Sequence, residues 1–184
     1  MGFHTFDVDR ADDLEDVSRF RYCSRDELVG GMAVGRDAVV ADLGRGTGFY
    51  TDEIAPFVGT VYAVDVQAAM HDYYRSKGLP ENVEPVTSDV ASLPFADDEL
   101  DAAGSTMTYH ECATPESLGE LHRVTAPGGR VVVVDWTAQG TGEPGPPLDE
   151  RYDAAIAAEK FEDAGFTIEQ ERERPDTFVV VATA

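Results

Sequence analysis

An apolar run that ends in three alternating glycines and passes into a helix constrains this chain more than any other feature. Val39-Val40-Ala41-Asp42-Leu43 reads as a strand, Gly44-Arg45-Gly46-Thr47-Gly48 as a tight loop, and Gly48–Phe57 as a helix. Glycine at alternate positions lets the chain turn sharply and lets a ligand touch the main chain. Such a loop can also be no more than a turn, so its neighbours must decide. A dinucleotide site needs glycine or alanine at the sixth position of its fingerprint, and counting from Gly44 that position is Phe49. A pyrophosphate would also be repelled by Asp42, whereas a ligand bearing an ammonium group would be attracted. No Gly-Lys-Ser/Thr follows, which excludes a nucleoside triphosphate loop.

The pattern around the loop predicts an α/β fold. Strand-like runs occupy Ala38–Leu43, Thr60–Val64, Val83–Thr87, Leu100–Ser105, Arg130–Trp136, Thr167–Gln170 and Thr177–Ala182. Helical segments lie between them at Arg25–Met32, Gly48–Phe57, Ala68–Lys77, Pro115–Val124 and Asp149–Ala164. Thr114-Pro115 gives an N-cap followed by proline at the first helical position, and Gly165 closes the last helix. Pro127-Gly128-Gly129 reads as a turn into Val131–Val134, a run apolar on both faces like a covered central strand. Alternation of this kind predicts a doubly wound sheet with helices on both sides. The last two strands, joined near Pro175-Asp176, read as an antiparallel hairpin at the edge. The glycine- and proline-rich stretch Thr137–Pro147 reads as a loop.

Acids follow three successive strands at the ends where ligands bind in open α/β sheets: Asp42, Asp65 and Asp89. Asp65 stands 21 residues after Gly44, the place of an acid that holds ribose hydroxyls. Each of these acids can also serve only as a helix cap or an Asx turn.

The 184 residues fit one domain, and 36 acidic against 14 basic side chains give a net charge of −22. The acids are spread along the chain without a tail or cluster, which points to a solvated surface suited to high salt. The balance disfavours nucleic acid, because phosphate contacts need Lys and Arg. Arg10, Arg19, Arg21 and Arg25 form the one local concentration of positive charge, interleaved with acids. Cys23 and Cys112 have no metal spacing, and no apolar run approaches membrane-spanning length. A polar N-terminus and these absences give the expectation of a cytoplasmic protein without a membrane segment or metal.

Together these residues resemble class I S-adenosylmethionine-dependent methyltransferases, in the branch of the ubiquinone and menaquinone biosynthesis C-methyltransferases. Asp42–Gly48 resembles the first motif, with Arg45 where the family commonly has Cys or Ala. Ala63-Val64-Asp65 with Met70, Ser88-Asp89-Val90 with Leu93-Pro94-Phe95, Leu118–Gly129, and Phe161–Phe166 with Phe178–Ala182 resemble the later ones. The resemblance implies a Rossmann-like seven-stranded sheet, mostly parallel with an antiparallel C-terminal strand. It implies S-adenosyl-L-methionine as cofactor, with Gly44 and Gly46 against its methionine part, Asp65 at the ribose, and Asp89 and the Val90 backbone at adenine. Asp42, Arg45, Gly48, Val66 and Ser105 complete the expected cofactor-binding set. One domain over residues 1–184 is expected: an N-terminal helical lid segment (1–35), a cofactor-binding core (36–136), and a loop, helix and strand hairpin (137–184). By resemblance the Phe3-His4-Thr5-Phe6-Asp7 segment, with Leu14 and Arg19, would fold over the site.

The expected reaction is in-line methyl transfer to a small molecule, in which alignment supplies much of the rate. The segment Ser105–His110 lacks the Asn/Asp-Pro-Pro-aromatic signature of amino-group methyltransferases acting on bases or glutamine. His110, His4 and Tyr109 are the candidate catalytic residues, with Tyr50, Tyr109 and Phe6 as rings that can favour a sulfonium. The short loop at Thr137–Pro147 suggests an open pocket, in a monomer or one completed by a second copy of the chain. The competing readings are a non-catalytic S-adenosylmethionine-binding regulator and a methyltransferase acting on RNA or protein.

Overall fold

Parallel strands buried on both faces must be covered on both sides, and this chain covers them with helices. In the computed structural model, which describes residues 6–184, seven strands form one sheet in the order β3-β2-β1-β4-β5-β7-β6. They are β1 (Val39–Leu43), β2 (Thr60–Asp65), β3 (Val83–Thr87), β4 (Leu100–Thr106), β5 (Thr125–Trp136), β6 (Thr167–Glu173) and β7 (Thr177–Thr183). β1 to β5 pair in parallel, and β7 runs antiparallel to both β5 and β6. The strand order reverses at β1 and β4, so a crevice opens there beyond their C-terminal ends, where ligands bind in such sheets.

The helices are α1 (Arg25–Met32), α2 (Thr51–Ile54), α3 (Ala68–Lys77), α4 (Tyr109–Cys112), α5 (Pro115–Val124) and α6 (Ala154–Asp163). Alternate residues of each strand point to opposite faces. Val131 and Val133 of β5, with Phe178 and Val180 of β7, join the core under α5 and α6. Val132 and Val134, with Val179 and Val181, join the core under α1 and α2. Thr114 accepts a hydrogen bond from the Ser117 N–H, capping α5. Gly165 follows α6 with a left-handed φ of 101°.

Departures from the sequence pattern have local causes. The helix expected over Gly48–Phe57 shortens to α2 and a 3-10 turn at Ala55–Phe57, because Pro56 has no N–H to continue the ladder. Pro127-Gly128-Gly129 is not a separate turn. It lies inside β5 as an irregularity in the pairing with β4, between Thr125 opposite Leu100 and Arg130 opposite Ala102. The helix expected from Asp149 starts only at Ala154, after a 3-10 turn at Leu148–Glu150 and an extended Arg151.

Arg151 explains that late start. Its side chain is buried and turned under the Thr137–Pro147 loop, where it donates to the carbonyls of Thr137, Pro144 and Pro146. One guanidinium thus serves three carbonyls of a loop whose prolines have no N–H to offer. Arg151→Met keeps most of the packing and removes the donors. It is expected to lower stability by about 1–3 kcal/mol in denaturant unfolding. Limited proteolysis should then cut within residues 137–147.

Candidate cofactor and acceptor site

The glycine loop sits at the crevice, on a backbone that only glycine adopts readily. Gly44, Gly46 and Gly48 have φ of 65°, 56° and 85°. A side chain at Gly44 would lie 2.2 Å from Thr108 Cγ2, and one at Gly48 would lie 2.5 Å from the Tyr74 ring. The loop's N–H groups are used internally: Gly44 and Arg45 donate to the Val64 carbonyl, and Gly48 to that of Arg45. Gly46 donates to the Asp65 carboxylate at 2.8 Å. A phosphate nest needs those donors pointing outward, so the geometry agrees with the exclusion of a phosphate loop.

Asp42 lies fully buried beneath the loop. One carboxylate oxygen accepts from the Thr51 hydroxyl at 2.5 Å, and Oδ1 has no partner. Burial pushes this carboxyl up to about 6, against the opposing pull of Thr51 and Arg45. Asp65, at the end of β2, accepts from the Gly46 and Gln67 N–H groups, so both its oxygens are held in place. Val66 follows it, largely exposed. Asp89 accepts from the Ala91 N–H and so caps the 3-10 turn Val90–Ser92, while the Val90 side chain joins the core. Ser105, near the end of β4, is buried with an unpartnered hydroxyl. Asp42, the loop, Asp65, Asp89 and Ser105 therefore share one edge of the sheet.

Arg45 is committed elsewhere. It donates to the Ala63 and Gly46 carbonyls, meets His71 Nδ1 and lies over the Tyr74 ring. Its side chain thus ties the loop to α3. Residues 8–21, two 3-10 turns, lie against the same loop. The Leu14 side chain approaches Gly46, and the Tyr50 hydroxyl donates to the Arg19 carbonyl. Lys77 pairs with Glu15 at 2.6 Å, and Tyr73 donates to Asp12. The Phe6 carbonyl accepts from Gln67.

His110 lies on α4, one residue beyond Tyr109 and two beyond Thr108, whose hydroxyl donates to the Gly44 carbonyl. Its Nδ1 faces the buried carboxylate of Asp135 at 2.9 Å, and its backbone N–H donates to the same group. Burial pushes the imidazole pKa down, but the Asp135 hydrogen bond and charge, with Glu111 and Glu150, outweigh it and leave it raised. Sequence reasoning missed Asp135, although its signal was present: an acid at the end of the most apolar run, the fourth at this edge. Tyr109 requires a correction. It is packed among Tyr152, Phe161 and Phe178 in the core, away from the crevice, so it is not placed to act in catalysis. Tyr50 is likewise buried, against Phe20 and Phe49. His4 lies outside the described residues.

The four N-terminal arginines do not form a free basic patch. Arg10 pairs with Asp13, Arg19 lies over Phe49 and Tyr50, Arg21 meets the Tyr22 hydroxyl, and Arg25 pairs with Asp26 and Glu53. Among the described residues no group of acids, histidines and cysteines could hold a metal, and no helix is long and apolar enough to cross a membrane.

The buried Asp42 has a consequence for stability. The folded protein keeps this proton to higher pH than the unfolded chain, so stability falls as pH rises from about 4 to about 6. Asp42→Asn, which still accepts from Thr51, is expected to stabilise the protein by about 1–3 kcal/mol at pH 8 and by little at pH 4, measured by denaturant unfolding.

The family model described as a methyltransferase domain matches residues 41–133, half of the chain. A crystal structure of an S-adenosylmethionine-dependent methyltransferase from Aquifex aeolicus superposes with a TM-score of 0.86 at 31% identity, covering 96% of this chain and 98% of that one. The putative methyltransferase in complex with the Trm112 methyltransferase activator of Haloferax volcanii shares the fold, with a TM-score of 0.80 at 19% identity over 96% of each chain. The ubiquinone/menaquinone biosynthesis C-methyltransferase of Klebsiella pneumoniae is 32% identical over 129 residues, 66% of this chain and 50% of its own. The demethylmenaquinone methyltransferase of a Mycobacterium species is 32% identical over 114 residues, 61% of this chain and 48% of its own. The chain thus spans about half the length of these curated relatives. The matched glycine loop, the strand order and the near-complete superposition agree: this chain belongs to the methyltransferase-domain family, within the class I S-adenosylmethionine-dependent methyltransferases.

Proposed function

We propose that this protein transfers the methyl group of S-adenosylmethionine to a small-molecule acceptor, as a monomer or homodimer. The observation that carries the reading is the unpartnered Oδ1 of Asp42, buried under a glycine loop in which the Gly44, Arg45, Gly46 and Gly48 N–H groups are already bonded within the protein. An isolated buried carboxylate is costly unless a cation meets it, and the ammonium of a methionine moiety suits that need. The residues present fit the rest of the cofactor: Asp65 at the ribose hydroxyls, Asp89 and the Val90 backbone at adenine, and Gly44, Gly46 and Gly48 clearing space for close approach. Ser105, with its unpartnered hydroxyl, faces the same edge. When bound, the cofactor supplies an activated methyl group and leaves as S-adenosylhomocysteine. The chain's own work is to bind, to align the acceptor and to exclude water.

Residues 8–21 act in this reading as a partial lid over the glycine loop, tied down through Glu15–Lys77 and Asp12–Tyr73. A small molecule is favoured over RNA because the N-terminal arginines are paired or stacked and the net charge is −22. The relatives named for quinone biosynthesis point the same way. Arg45 does not support the regulatory reading, since its side chain is spent on α3 and β2.

Calorimetric titration in high salt, which screens the surface charge, tests the proposal. S-Adenosylmethionine and S-adenosylhomocysteine are expected to bind saturably and NAD not at all. Asp65→Ala should weaken binding by about 10–100-fold through loss of charge-assisted hydrogen bonds. Protonation removes the attraction between Asp42 and the ammonium. Affinity is therefore expected to fall as pH drops through about 6, approaching tenfold per unit, and Asp42→Asn should flatten that dependence. A folded sample that binds neither sulfur compound would overturn the proposal.

A further inference from the structure

The His110–Asp135 pair, at the end of the sheet where β4 and β5 finish, lies outside the set of residues that the proposed reading gives to the cofactor. Asp135 is wholly buried at the end of β5 and accepts N–H bonds from His110 and Trp136. These bonds orient its carboxylate towards His110 Nδ1, with both oxygens within 3.0 Å. A carboxylate at Nδ1 holds the proton there and leaves Nε2 as the acceptor of the neutral ring. Nε2 lies 3.9 Å from Glu111 Oε1, so an imidazolium formed there has a second negative neighbour. The groups that face the ring are Asp135 of β5, Glu111 of α4 and Glu150 of the turn before α6. The histidine side chain retains 10% exposure, and Thr108 on the same connection touches Gly44 of the cofactor loop. The pair therefore stands beside the cofactor loop, at the same end of the sheet.

We infer that His110 is the general base of the reaction, that Asp135 is its positioning residue, and that the acceptor is a phenol, enol or thiol. This rests on the methyltransferase reading above. A tertiary amine or a thioether gives this pair nothing to do, because it reaches the site with a free lone pair and no proton to lose. An aliphatic alcohol, a far weaker acid, matches an imidazole base less well. Phenols and thiols, with ordinary pKa values of about 10 and about 8.5, lie within the range where proton transfer to histidine is efficient. The acceptor's O–H or S–H proton passes to Nε2. Its electron pair forms the new bond to the methyl carbon as the carbon–sulfonium bond breaks, and the sulfonium's positive charge is replaced by that of the imidazolium.

Two measurements on the full chain test this. Histidine labelled with carbon-13 at Cε1 reports each ring's titration by NMR, with S-adenosylhomocysteine bound, and His110→Asn assigns the signal. The His110 ring is expected to titrate above an ordinary histidine, and Asp135→Asn should bring its midpoint down. Methyl transfer from labelled S-adenosylmethionine is then measured to catechol, 4-hydroxybenzoate and thiophenol, beside N,N-dimethylbutylamine. Transfer is expected to a protic acceptor, rising with pH to a plateau above the His110 midpoint. His110→Asn should lower it by about 100-fold or more at unchanged S-adenosylhomocysteine affinity. Asp135→Asn should move the acid limb to lower pH and lower the plateau, which loss of structure alone would not do. Transfer to the tertiary amine only, transfer to no protic compound by protein that binds the cofactor, or a change under twofold in His110→Asn would each sink the inference. Failure of the unmodified protein to bind the cofactor would overturn the methyltransferase reading, and the inference with it.

Discussion

Two N–H groups on one carbonyl hold the site together. Gly44 and Arg45 both donate to the Val64 carbonyl of β2, which folds the glycine loop back over the end of the neighbouring strand. That contact brings Gly46 to Asp65 and places Asp42 under the loop with Thr51 as its partner. It works only with left-handed backbone at the glycines and with no side chain at Gly44, where Thr108 already fills the space. The cofactor cradle, the β2 acid and the β4–α4 connection therefore depend on one turn. A change at any of them would be felt by the others.

Charge at this edge is arranged so that each carboxylate is met in a different way. Asp65 is met by two backbone N–H groups and Asp135 by two N–H groups and an imidazole. Asp89 serves as a cap. Asp42 alone among these four keeps a buried oxygen without a partner. Burying polar groups without partners is expensive, and at this edge a bound ligand would supply what Asp42 lacks. In the proposed reading Asp42 and Ser105 belong to the cofactor side, and the His110–Asp135 pair to the acceptor side.

The segments on either side of the core are fastened by polar contacts. A glycine- and proline-rich loop has few donors of its own, and Arg151 supplies them from the segment before α6. On the other side residues 8–21 are fastened by polar contacts to α3 and the residues around the glycine loop. The same segment also packs Phe20 against Phe49 and Tyr50, with Arg19 stacked over both rings.

Much of this was legible in the sequence. The strand–glycine–helix pattern, the acids at three strand ends and the alternation of apolar runs carried the sheet, its helices and the cofactor edge, because local periodicity and backbone preference act within a few residues. α1, α3, α5 and β3 have the expected ends. The tertiary structure alone decided which partners meet. That Tyr109 turns into the core while His110 turns to Asp135 follows from the packing of α4 against β5 and α6, across 25 residues of sequence for the pair itself. That Arg45 belongs to His71 and Tyr74, and Arg151 to a proline loop, likewise depends on which groups burial leaves without water. Sequence determines where acids, glycines and apolar runs fall. Which of them are desolvated together is a property of the folded chain, since that environment exists only once distant segments have packed.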